Sequence, residues 1–129
     1  GVQGSFHGIS HHRNEPDKLE QYERIVDWHM EQMAYFLDRL RGLDEGGSSL
    51  LDNSMVMFGS SLKDGNRHDP ENLPILLAGR AKGKLKPGRR VRFAEKTPLC
   101  NLYLTMLHHM GLEQEKGFGD STGLLEGLG

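Results

Sequence analysis

The stretch His7-Gly8-Ile9-Ser10-His11-His12 places three imidazoles within six residues. Neutral imidazole is the commonest protein ligand for zinc-like ions and titrates near neutrality, so the chemistry open to it is metal binding or proton transfer. A polar loop whose histidines cap a helix or hydrogen-bond the backbone reads the same way, and the motif alone divides evenly between the two. Gly8 and Ser10 predict a loop that feeds a helix N-terminus. Adjacent side chains of an extended loop diverge, so His7 is expected to pair with one of His11 and His12 and not with both.

A second polar cluster lies in residues 59–73, which carry neither a helical nor a strand period. Loops of that length in compact domains are usually functional or disordered. This one follows an apolar run and leaves what reads as the carboxyl end of a strand, where open α/β sheets bind ligands. Asp64, Asn66, His68 and Asp69 are thereby placed on the expected functional edge, with a solvated surface excursion as the plainer alternative. A ligand set draws groups from several elements, so the two clusters are expected to converge, His7 or His11 meeting His68 or Asp64. A helix N-terminus beside them would favour an anionic ester.

The elements that must position these groups follow from period and punctuation. Asn14 as cap, Pro16 in the first turn and Asp17 and Glu20 near the positive dipole end start a helix over residues 14–41, stopped by Gly42. Its apolar stripe holds His29 as a core histidine, with Trp28 and Tyr35 at the stripe's edge. Residues 44–49 read as a loop and Asp52-Asn53 as a turn. The runs 55–58 and 74–78 are apolar on both faces and predict central, parallel strands. Residues 83–93 read as a hairpin turning at Pro87-Gly88. A last helix spans 98–110, capped by Thr97 and ended by Gly111, with His108 and His109 in its last turn as capping groups favoured by the dipole, and Phe118, Leu124, Leu125 and Leu128 anchoring the tail. The class is α/β.

Composition bounds the rest. The length of 129 residues suits one domain, and Cys100, the only cysteine, permits neither an intrachain disulfide nor a thiolate metal cluster. A net charge of -2 offers no footing for a nucleic-acid partner. No run approaches the length of a membrane span, and no signal-peptide pattern opens the chain. Residues 80–92 hold seven basic side chains and no acidic one, read as a charged edge that discourages strand aggregation ahead of a polyanion contact.

The HxxSHH arrangement, the run Gly59-Ser60-Ser61-Leu62-Lys63-Asp64-Gly65-Asn66-Arg67-His68-Asp69 and the closing Phe118-Gly119-Asp120-Ser121-Thr122-Gly123 together resemble a bacterial family named for its HxxSHH motif. That family is uncharacterised and secreted, and is similar to a distant branch of the alkaline phosphatase and sulfatase superfamily. The resemblance implies that residues 1–129 form a single domain, the C-terminal portion of a longer protein whose upstream half keeps the nucleophile and further metal ligands. It also implies a partial alkaline-phosphatase-like sandwich, a short central sheet with a long N-terminal helix and a C-terminal helix packed on it. The implied function is metal-dependent hydrolysis of phosphate or sulfate esters. His7, His11 and His12 would be the acid/base groups, and Asp64, His68 and Asp69 the ligands of zinc, manganese or iron. The alternative is a non-catalytic extracellular binding or structural domain that keeps the architecture. In the superfamily an Asp-His pair directly follows a core strand, whereas here Gly59-Ser60-Ser61 stand there and the acid and imidazole come later. Expected partners are the upstream half or a second copy, and a small anionic ester or carbohydrate. The implied location is secreted or periplasmic.

Overall fold

Ser5 decides how the chain begins. In the computed structural model, which describes residues 1–129, its backbone is extended and its hydroxyl accepts the Gly8 N–H at 3.1 Å, capping a short helix α1 (Phe6–Ser10). The expected loop over residues 7–12 is therefore corrected to one helical turn. The cap, a Ser10 hydroxyl donating to the His7 carbonyl at 2.8 Å, and burial of Ile9 at 4% exposure outweigh the weak propensities of Gly8 and Ser10.

The chain divides into two compact units, the first comprising Gly1–Arg39 and Phe58–Leu76 and the second Leu40–Met57 and Leu77–Gly129. In the first unit α1 is followed by a reversal in which Arg13 and Asn14 take φ of 50° and 62°, and then by the long helix α2 (Pro16–Arg41). The first helical bonds of α2 run from the Lys18 and Leu19 N–H to the Glu15 carbonyl. Asn14 thus turns the chain in the left-handed region that Asn tolerates, in place of the capping role expected for it. Along α2 only Met33 is buried. His29 is half-buried against the rings of Phe6 and Trp28, and Trp28 and Tyr35 are exposed as the edge of the stripe predicts.

Two short strands, β1 (Met55–Gly59) and β2 (Ile75–Gly79), form the sheet; β1 carries the chain from the second unit into the first and β2 carries it back. Gly59 lies against Pro74 and Ile75 while Gly79 lies against Ser54, so the pair is antiparallel, which corrects the parallel expectation. Parallel neighbours need a crossover of a dozen or more residues, usually a helix. Here residues 60–74 contain no helix and double back through an antiparallel bridge between Asp64 and Asp69. The strands are mostly half-buried and not covered on both faces: an apolar run reports what a strand could bury, not what covers it.

In the second unit Ser49 caps a further short helix, α3 (Leu50–Asn53), where a turn at Asp52-Asn53 is expected from sequence. Ser49 and Asp52 satisfy each other's backbone N–H groups in a capping box, and Asp52 also meets the Arg80 guanidinium at 3.1 Å. The Ser49 hydroxyl, then its N–H, then Arg80 hold the Asp52 carboxyl below its ordinary value of 3.8. A carboxyl depressed on folding adds stability above its unfolded pKa, and that stability is lost as pH falls through the folded value. Ser49→Ala is expected to cost about 1 kcal/mol in urea unfolding near neutral pH. The gap from the parent should narrow in strong acid, once Asp52 is protonated in both proteins.

A 3-10 turn (Ala81–Gly83) packs on α3, and no hairpin follows it. Across the expected hairpin Lys84 and Lys86 would oppose Arg89, Arg90 and Arg92, and like charges directly opposite destabilise a strand pair. Gly88 does turn the chain at φ 81°, but Leu85 is buried and the Lys86 N–H bonds the Leu128 carbonyl at 3.0 Å, so the segment joins the tail. The last helix, α4 (Leu99–His109), has Pro98 at its cap position, while the Thr97 hydroxyl, expected to cap, donates to the Ala94 carbonyl. Gly111 at φ 90° ends α4 as expected, with His108 and His109 in the last turn and the N–H groups of Met110, Gly111 and Leu112 returning to that turn. The tail is held by polar hooks as well as by the expected Leu128. The Asn101 side chain pairs with the Thr122 hydroxyl and N–H, and the Thr105 hydroxyl accepts the Leu125 N–H at 2.8 Å. With four α-helices and two antiparallel strands, the chain is mixed α/β. None of its helices is long and apolar enough to cross a membrane.

Candidate functional site

Because α1 is helical, His7 and His11 stand one turn apart on the same face. Their ring centroids are 4.8 Å apart, edge to face at 73°. The His68 ring also comes to 4.9 Å from His11, tilted by 54°. All three residues belong to the first unit. His68 sits at φ 54°, an uncommon backbone for a residue with a side chain, tolerated by His in turns.

The loop that presents His68 is cinched by its own acids. Asp64 accepts the N–H groups of Asn66 and Arg67, and its carbonyl receives the Asp69 N–H at 3.0 Å. Asp69 pairs with the Lys63 ammonium at 2.6 Å and accepts the Glu71 N–H. Two contacts then join this loop to the histidine segment. The Asn66 side-chain Oδ1 accepts the Arg13 backbone N–H at 3.0 Å, across 53 residues, and Gly65 lies against Ser10, where a Cβ would stand 3.2 Å from the serine Cβ. The sequence places Asn66 on the functional edge and Ser10 within the HxxSHH motif, but no local pattern marks Arg13 or Gly65.

The third histidine of the motif points elsewhere. His12 accepts the Asn14 N–H on Nδ1 at 3.0 Å and its ring lies 6.2 Å from that of Tyr22, so it braces the turn into α2. Of the residues expected as catalytic, His7 and His11 are brought together and His12 is not. Of those expected as metal ligands, His68 joins them. The carboxylates of Asp64 and Asp69 are engaged with their own loop.

Desolvation, then the neighbouring His68 and His7 and the Arg13 guanidinium, lower the His11 pKa, so the central ring is neutral at neutral pH and keeps a lone pair free. The Lys63 ammonium, followed by the Glu71 N–H, holds the Asp69 carboxyl below the usual range. As the rings stand, no three His, Cys, Asp or Glu side chains form a set that could hold a metal ion. No protein-family model, curated protein or solved structure matches the chain.

Proposed function

We propose that His7, His11 and His68 form the divalent-metal site of a hydrolase-like domain acting on phosphate or sulfate esters. The observation that supports this is the meeting of three imidazoles from two distant segments, one of them on an uphill backbone. Metal–nitrogen bonds of about 2.0–2.1 Å at tetrahedral angles would put ligand ring centroids about 5 Å apart. The His7–His11 and His11–His68 separations of 4.8 and 4.9 Å suit that spacing, and side-chain rotation would have to bring His7 and His68 equally close and aim the nitrogens at one point. An imidazole set suits zinc, ahead of iron or manganese. When bound, such an ion polarises an ester oxygen and activates a nucleophile. His11 offers its lone pair, Asn66 and Gly65 keep the two segments in register, and Arg13 supplies positive charge for an anionic ester.

On this reading the chain is the C-terminal portion of a secreted HxxSHH-type protein. Its two strands belong to a larger alkaline-phosphatase-like sheet completed by upstream strands or a second copy. The support is that two strands alone make a marginal sheet and that α2 leaves Val26, Trp28, Met30 and Phe36 exposed. Zinc and manganese titrations by calorimetry, together with turnover of 4-nitrophenyl phosphate and 4-nitrophenyl sulfate, test the assignment. Tight binding of one ion per chain supports the metal site, and turnover supports hydrolysis. Binding without turnover favours the non-catalytic domain, and no binding removes the metal site.

A further inference from the structure

A cavity of about 470 Å³ in the second unit has no part in the histidine site. Its apolar wall is built from Met55, Ala81, Met106 and Met110, the last two one helical turn apart at the end of α4. Asn53 and Ser54 also border it, but their polar groups are engaged. The Asn53 amide donates to Glu45 and Ser48, and the Ser54 hydroxyl donates to the Leu50 carbonyl. Two polar side chains of the lining remain without a hydrogen bond or ion pair, Lys82 and His109.

Lys82 is held at the cavity by a costly backbone. Ala81 and Lys82 take φ of 47° and 57°, two consecutive residues with side chains in the left-handed region. Such conformations persist where the surroundings over-determine them and cluster at ligand sites. Here the Ala81 N–H bonds the Ser54 carbonyl at 3.1 Å, and the Gly83 and Leu85 N–H groups both bond the Arg80 carbonyl. The nearby acids are already engaged: Asp52 pairs with Arg80, and Glu45 accepts the Asn53 amide. Residues 80–92 are basic without an acid, and Glu113, the acidic side chain of the adjoining cavity, already faces Lys84 at 3.7 Å. Desolvation, then Lys84 and His108, lower the His109 pKa, so His109 offers a hydrogen bond and Lys82 a single uncompensated charge.

We infer that this cavity binds a monoanionic amphiphile, an apolar chain ending in one carboxylate or sulfate. Its head sits on the Lys82 ammonium and the His109 ring, and its chain lies along Met55, Met106 and Met110. A cationic or zwitterionic head is disfavoured by Lys82, the one charged side chain of the lining, and a purely apolar ligand makes no use of it. The volume is of the order found at small-molecule sites, in a depression open to solvent at Lys82 and Met110.

The six methionines provide the readout, since Met30, Met33 and Met57 lie outside the cavity. In the full chain labelled at the methionine methyl carbons, octanoate is expected to shift the Met55, Met106 and Met110 signals saturably, with a Kd of roughly millimolar or tighter. Lys82→Glu should weaken binding by about tenfold or more, Lys82→Arg should retain it, and octylamine should not bind. Octyl sulfate binding more tightly than octanoate would assign the head as sulfate, and the reverse as carboxylate. The site is overturned by octanol binding as well as octanoate, by Lys82→Glu having no effect, by shifts that do not saturate, or by equal shifts at all six methionines.

Discussion

Replacing His11 by alanine is expected to weaken zinc binding by well over 100-fold, since outer-shell changes alone cost about 10–100-fold and His11 is the ring in contact with both His7 and His68. His12→Ala should leave zinc affinity nearly unchanged, because His12 braces the turn into α2 through Asn14. The contrast is sharp because the two residues adjoin in sequence and are both imidazoles. Asn66→Ala, which removes the acceptor for the Arg13 N–H, should fall between them as a positioning change of about 10–100-fold. Calorimetric titration of the three variants, each checked for an unaltered circular dichroism spectrum, decides the matter. Equal losses in the His11 and His12 variants would mean that zinc is held by the motif as a flexible segment, and the three-ring site would be wrong.

Gly79→Ala is expected to be the most damaging single methyl that can be added to the sheet. A Cβ at Gly79 would stand 2.2 Å from the Ser54 carbonyl oxygen and 3.0 Å from that of Leu51, both backbone atoms that no side-chain rotation can clear, and φ is 95°. Overpacking typically costs about 1–3 kcal/mol and a left-handed residue about 1–2 kcal/mol. The sum, about 2–5 kcal/mol, is a large fraction of a small domain's stability. Gly83→Ala separates the two causes: φ there is 90° but nothing lies within 4 Å of the added methyl, so only the backbone cost of about 1–2 kcal/mol applies. Urea unfolding of both variants measures the difference. Similar midpoints would mean that the Ser54 backbone moves aside freely and that the β1–β2 edge is less fixed than its contacts indicate.

The sequence by itself determined the long helix to Arg41, the last helix to within a residue, the positions of both strands and the two polar clusters that meet. These rest on local information: a 3.6-residue period, prolines near helix starts, glycines at helix ends, and runs of apolar residues closed by Gly59 and Gly79. Which histidines share a site was decided by structure. The loop expected from sequence left open which of His11 and His12 joins His7, whereas the helical turn capped by Ser5 puts His11, and not His12, beside His7. Strand direction was equally non-local, because the loop between the strands reverses on its own Asp64–Asp69 bridge and contains no helix to carry a crossover. The hairpin over residues 83–93 failed for the complementary reason. Its turn signal at Pro87-Gly88 was local, while the repulsion between its basic arms and the competing partner, Leu128, lay across the fold. Period and turn chemistry are written within a few neighbouring residues, but pairing depends on which distant group satisfies a backbone or side-chain donor at least cost, and only the folded chain brings those competitors together.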